Sequence, residues 1–168
     1  VFHEGGLGGR SVHSLLVSKD GSLWIGSVGS KSSLFRFVDG KTEVVKGPVD
    51  MTYAEIEEMV ELEDGTLVMA TNGSGILEYK DGNWVIHNRK NRDFLTDRFI
   101  SLEQSKEGAI WAGTRADGLY HYSNQIWTHF SRGDGFLKCR VDGLALDEND
   151  HLFLATHLEE GPLSLIPD

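Results

Sequence analysis

Eleven of the 16 Lys and Arg residues fall in eight short segments lying between apolar, alternating stretches: 4–11, 28–33, 46–54, 72–75, 87–98, 115–118, 131–140 and 157–162. The same segments hold eight of the 26 Asp and Glu residues, so they are net positive in a chain whose formal charge is −10. If the fold gathers them on one rim, the molecule is acidic with one basic face, and such a face steers anions to itself. Guanidinium groups match carboxylate or sulfate through paired hydrogen bonds. Arg89, Arg92, Arg115 and Arg140 are the first candidates for that chemistry, with Arg10 and Arg132 next. Turn chemistry accounts for part of the asymmetry, because Asp20, Asp39, Asp64, Asp81 and Asp150 lie at the opposite ends in turns that favour Asp.

A second constellation depends on how the chain ends meet. His3 and Glu4 would lie beside His157, Glu159 and Glu160 if the N-terminal strand completes the last repeat. Imidazoles with carboxylates are ligands for a divalent metal and also form general acid–base pairs. Their spacing matches no metal motif, and solvated side chains are the plainer reading; no cofactor is expected. The segment Asp147–His151 resembles a metal loop but falls where every other repeat has its first turn, so it reads as a hairpin. The glycine-rich stretches 5–9 and 72–75 open no helix, as a phosphate-cradling loop requires. Cys139 stands alone, so no internal disulfide forms. Trp24 and Trp111 recur at one buried position, and Trp84 and Trp127 read as packing on outer strands.

The elements that position these residues follow from a phrase repeated four times: Asp20–Ser27, Asp64–Thr71, Glu107–Thr114 and Asn149–Thr156. A period of roughly 40 to 50 residues built from short strands and turns marks a propeller or similar array. Each unit has an alternating first strand (12–18, 56–61, 99–104, 141–147), an Asp-Gly-type turn and a second strand apolar on both faces. A third strand (34–37, 76–79, 119–122, 163–166) and a second turn lead to a fourth (42–45, 84–87, 125–130). Small residues at Gly26, Ala70, Gly113 and Ala155 predict close approach of adjacent sheets. The expectation is a single all-β domain over 1–168, a β-propeller of four blades of four-stranded antiparallel sheet. Its units span about 12–47, 55–90, 98–130 and 140–168, with residues 1–4 as the strand closing the last blade. Closure would hide sheet edges and apolar faces. The alternative is a four-blade arc of a larger propeller, since four is the low end of the usual ~4–8 blades.

The phrases Gly108–Thr114 and Asp117–Tyr122, and the connector Gly135–Val141, resemble the two-component regulator propeller repeat. The likeness extends over all four repeats, closest in the first and third; Val68 and Phe153 replace tryptophan in the others. In that family the propellers usually form the extracytoplasmic sensor region of bacterial hybrid histidine kinases, often responding to glycans. The resemblance therefore implies ligand binding in signal transduction and a periplasmic or extracellular location, and carries no catalytic residue onto this chain. The sensors have more blades and a kinase after them. A weaker likeness is to streptogramin lyases, whose repeats also read Asp-Gly-x-Leu-Trp.

The resulting expectation is a sensor-type propeller, not an enzyme, that binds an anionic small molecule or glycan on its basic rim. One alternative is a lyase or hydrolase working at the ring closure. Another is a structural repeat segment that forms a homodimer or packs with further blades. The acidic balance argues against nucleic acid as a partner, and no apolar run is long enough to span a membrane. The chain shows no initiator Met or signal peptide, the expectation for a processed or excised piece.

Overall fold

In the computed structural model the described residues are 7, 11–28, 34–48, 54–91, 94–130, 140–156 and the backbone of 163–165. They form fifteen strands. The first blade contains β1 (Ser11–Val17), β2 (Leu23–Val28), β3 (Leu34–Val38) and β4 (Lys41–Val44). The second contains β5 (Ile56–Glu61), β6 (Leu67–Thr71), β7 (Gly75–Lys80) and β8 (Asn83–His87). The third contains β9 (Phe99–Gln104), β10 (Ile110–Thr114), β11 (Leu119–Ser123) and β12 (Ile126–Phe130). The fourth contains β13 (Val141–Leu146), β14 (Leu152–Thr156) and β15 (Leu163–Leu165). Each blade is an antiparallel meander in chain order, four-stranded in the first three and three-stranded among the described residues of the last. This is the expected all-β propeller architecture.

The turns carry the pattern locally. At Asp39-Gly40 and Asp81-Gly82 both residues have positive φ, the form that matches the twist of a two-residue hairpin. The turn after the first strand differs from that expectation. Only its glycine is left-handed, as at Gly21 (φ 84°) and Gly65 (φ 85°), while the aspartate works through its side chain. Asp20 Oδ1 accepts from the Ser22 backbone N–H at 2.8 Å, and Asp64 Oδ1 from that of Thr66 at 3.0 Å. In the fourth blade Asp150 itself takes the left-handed place, and Asp147 Oδ1 accepts from the N–H groups of Asn149 and His151.

Blades stack through one repeated junction. The first strands pack side by side, β1 on β5, β5 on β9 and β9 on β13. Each first strand carries a bulge near its start, which turns one side chain toward the following blade. There Ser14 Oγ donates to the Ile56 carbonyl at 3.4 Å and Ser101 Oγ to the Val141 carbonyl at 2.9 Å. The glycines opposite them leave the room. A Cβ on Gly26 would lie 2.2 Å from Ser14 Oγ and 2.7 Å from Ile56, and one on Gly113 would lie 2.1 Å from Ser101 Oγ and 2.8 Å from Val141. At the same place in the second blade Glu58 accepts from the Leu102 N–H at 2.6 Å, opposite Ala70. Burial pushes the Glu58 carboxyl above its ordinary range, against the pull of that N–H.

Three apolar clusters fill the three junctions. Trp24, Leu34, Ile56 and Met69 belong to the first, Val68, Ile76, Phe99 and Tyr120 to the second, and Trp111, Leu119, Val141 and Leu154 to the third. No comparable packing joins β13 to β1 among the described residues. The two outward faces show this directly. Phe153, at the place where Trp111 is 5 % exposed, is itself 46 % exposed. Leu15, at the place where Leu102 is 2 % exposed, is 61 % exposed. The described sheets are thus the arc of the alternative reading. The closing strand expected at residues 1–4 lies outside the described residues.

Candidate functional site

The second junction opens outward into a cleft of about 540 Å³ lined by Arg89, Lys90, Asn91, Phe94, Tyr120, Gln125, Ile126, Trp127 and His129. Its aromatic floor is built from β11, β12 and the segment before β9. Phe94 is buried and meets Tyr120 at 5.0 Å and Trp127 at 5.3 Å, both edge-on. His129 stacks on Tyr120 with centroids 4.4 Å apart. Period-two alternation on β12 puts Trp127 and His129 on the same face, so one short strand supplies both.

Hydrogen bonds fix this floor. The Tyr120 hydroxyl accepts from the Leu95 N–H at 2.9 Å, and burial raises its pKa, so it stays a neutral phenol. His129 Nε2 donates to the Asp117 carbonyl at 2.7 Å, which leaves Nδ1 as the ring's second polar atom. The Trp127 indole N–H is buried with no acceptor among the described residues.

Above the floor stands the turn that follows β8. The Asn91 Oδ1 accepts from the Asn88 N–H at 2.9 Å, and Asn88 Oδ1 from the Lys90 N–H at 3.0 Å, so two asparagines wind the chain tightly here. The Arg89 N–H donates to Asp97 Oδ1 at 2.7 Å. Asp97 in turn offers its carbonyl to the N–H groups of Gly73 and Gly75. The turn is therefore anchored by its backbone, and the Arg89 and Lys90 side chains have no carboxylate partner among the described residues. Chemically, two cations stand over an apolar, aromatic surface, an arrangement suited to a ligand with an anionic group on a flat or apolar body.

Of the residues expected to bind, Arg89 lines the cleft. Arg115 is exposed at the end of β10, its N–H bonded to the Arg98 carbonyl at 3.0 Å, which puts it on the rim that carries Arg89. Arg140 does not line this cleft, and its guanidinium is paired with Asp142. Arg92, Arg10 and Arg132 lie outside the described residues, as do His3, Glu4, His157 and Glu159. Among the described residues no three His, Cys, Asp or Glu side chains converge on a metal position. Sequence reasoning missed Phe94, Tyr120, Trp127 and His129 as site residues. The alternation of Trp127 and His129 was the available signal, and it is equally the signal of a packed strand.

A smaller cleft of about 480 Å³ lies at the first junction, on the opposite rim. Here Arg36 lies over the Trp24 ring at 5.4 Å and pairs with Asp20 at 2.5 Å, while Lys80 pairs with Asp64 at 2.7 Å. Hydrogen bonds from the Ser22 hydroxyl and N–H, with Arg36 adding to them, hold the Asp20 carboxyl down at about 2. The Lys80 ammonium and the Thr66 N–H do the same for Asp64, also to about 2. Two of this cleft's cations, Arg36 and Lys80, are thus committed to carboxylates.

Known proteins agree with this architecture. Residues 6–29, reaching through β1 and β2, match the two component regulator propeller family. Among curated proteins no sequence relative matches. The extracellular domain of the hybrid two component system BT3049 from B. thetaiotaomicron is similar in fold, with 20% identity and a TM-score of 0.76, over 92% of this chain and 21% of that one. Virginiamycin B lyase from Staphylococcus aureus shares 16% identity over 93% of this chain and 56% of its own, with a TM-score of 0.71. YCF48, solved bound to D1 peptide, shares 19% over 94% and 51%, with a TM-score of 0.65. The chain thus spans about a fifth of that extracellular domain and about half of the other two. No helix among the described residues is long and apolar enough to cross a membrane. Sheet order, blade packing and the shared fold identify the chain as an array of β-propeller blades, of which the segment 6–29 matches the two component regulator propeller family.

Proposed function

We propose that the chain is a ligand-recognition part of an extracytoplasmic sensor-type propeller, and that it takes an anionic glycan or a comparable anionic small molecule in the second-junction cleft. The observation that carries this reading is the pairing of Arg89 and Lys90, uncommitted to any described carboxylate, with an aromatic floor of Phe94, Tyr120 and Trp127. A sugar ring lies on such a floor through its apolar C–H face while its carboxylate or sulfate meets the cations. The family match over residues 6–29 and the fold shared with an extracellular sensor domain support the sensor role and the location. Arg115 extends the positive rim beside this cleft.

Titration calorimetry with a panel of uronate and sulfated disaccharides and their neutral counterparts tests it. Binding is expected for the anionic members alone and weakens as salt rises. Arg89→Ala with Lys90→Ala lowers affinity at least about tenfold, the equivalent of ~1.4 kcal/mol, and leaves the melting temperature unchanged. Equal affinity in the double variant, or equal binding of neutral and anionic sugars, would sink the proposal.

A further inference from the structure

The third blade puts three polar side chains on the second-junction cleft where the first two blades have none. Strand register makes Phe35, Leu77 and Tyr120 equivalent, then Val44, Ile86 and His129, and then Gly40, Gly82 and Gln125. Each place is apolar or glycine in the first two blades, and all three replacements line the one cleft. The two junctions differ at the same spot. Trp84 donates its indole N–H to the Lys46 carbonyl at 3.2 Å, so the chain leaving the first blade covers that ring. At Trp127, its equivalent, the chain leaving the second blade turns at residues 88–91 instead, and the indole N–H meets no acceptor among the described residues.

Two of the three replacements have work within the protein. Tyr120 accepts from the Leu95 N–H, and His129 donates to the Asp117 carbonyl. Gln125 has none: it is exposed, and its side chain bonds no described residue. It also carries a backbone cost. Its φ is 64°, in the left-handed region where Gly40 (76°) and Gly82 (84°) hold the same place. Asn124 before it is a residue type that visits this region readily, and glutamine is not. Strain that serves no internal contact points to an external one.

Gln125 precedes β12 and His129 lies near its end, so the two are about 13 Å apart, four residues at ~3.3 Å each. The His129 end is also the cationic end. His129 is tied to the β10–β11 loop through Asp117, and the Arg89 turn to Asp97 beside the β6–β7 loop, on the same rim. The neighbour of Gln125 in the lining is Ile126, 66 % exposed and apolar. We propose that Gln125 is a specificity-determining contact of this cleft. Its amide hydrogen-bonds the hydroxyls of a neutral sugar unit joined to the anionic unit that Arg89 and Lys90 hold. This rests on the cleft taking an anionic glycan. An amide both donates and accepts, which matches a pair of adjacent hydroxyls.

Titration calorimetry and thermal melts on Gln125→Gly and Gln125→Ala test it, with glucuronate and a disaccharide of glucuronate linked to a neutral hexose as probes. The unaltered chain is expected to bind the disaccharide more tightly than glucuronate. Gln125→Gly is expected to lower disaccharide affinity about fivefold, as for one lost hydrogen bond, and to leave glucuronate binding unchanged. At the same time its melting temperature rises by about 2 °C, because the turn gains the residue it has in the first two blades. Gln125→Ala removes the amide without relieving the backbone, and gives the same affinity loss with no such rise. Unchanged disaccharide affinity in both variants overturns the proposal. So does an equal loss for glucuronate, the mark of a turn that shapes the whole cleft. Both of those outcomes leave the anionic-glycan reading of the cleft standing. No binding of the disaccharide, or full affinity in Arg89→Ala with Lys90→Ala, overturns that reading and the role of Gln125 with it.

Discussion

The third and fourth blades share one repeat yet use it differently. Trp111 and Phe153 hold the same place on the second strand, facing the following blade. Trp111 is buried under Val141 and Leu154 and stacks on His121 with centroids 4.0 Å apart. Phe153 faces solvent because no described blade follows it. The repeat supplies a position, and the neighbour determines what that position contributes. Burial also shows in the histidine: desolvation under the Trp111 stack lowers the His121 pKa, so the ring stays neutral and serves as packing.

The largest effect that separates the two blades is therefore truncation of this ring. Trp111→Ala is expected to cost about 3–5 kcal/mol, the range for large aromatic side chains removed from a core. Phe153→Ala, measured by denaturant unfolding, is expected to cost less than about 1 kcal/mol, since the ring is already half in water. Equal losses would mean that the Phe153 ring is covered as the Trp111 ring is.

Next in size comes the close approach at the bulge. Gly113→Ala places a methyl group against Ser101 Oγ and Val141, both already in contact across the junction. Overpacking of this kind costs about 1–3 kcal/mol. Gly143, on the open side of the fourth blade, has only the Ala155 Cβ at 3.6 Å. Gly143→Ala is expected to leave stability within about 0.5 kcal/mol of the parent. A melting temperature that falls equally in both variants would refute the assignment of Gly113 to a blade junction.

Much of this was legible in the sequence because the repeat enforces it. The phrase ending in Gly26 or Gly113 announces a strand pressed between sheets, and the structure supplies the atoms that press. The Asp-Gly pairs announce turns, although the backbone forms two kinds that look alike as letters. Asp39 accepts a positive φ, whereas Asp20 and Asp64 keep negative φ and cap with a side-chain oxygen. The cleft was half legible. Arg89 stood out as a cation in a rim loop, but its floor draws on Phe94, Tyr120 and Trp127, separated in sequence and joined only by blade packing. Whether an arginine is free was not legible either: Arg140 meets Asp142 two residues on, and Arg36 meets Asp20 across two strands.

That last distinction gives the finest test, because the two turn aspartates reach about the same pKa by different means. Asp20 is lowered first by the Ser22 hydroxyl and N–H, and Asp64 first by Lys80. Both folded pKa values lie below the ordinary carboxylate range, so each group contributes stability above that range and loses it as pH falls from about 4 to about 2. Acid unfolding of Asp20→Asn and Asp64→Asn should each show a shallower loss of stability in that window than the parent chain. The effects are the smallest of those named, since both carboxylates are open to solvent and screened. Salt tells them apart. At high ionic strength the contribution of Asp64 shrinks with its Lys80 pair, while that of Asp20 persists through hydrogen bonds two residues away. If salt abolishes both equally, the Ser22 hydrogen bonds do not hold Asp20, and its turn depends instead on the pairing with Arg36.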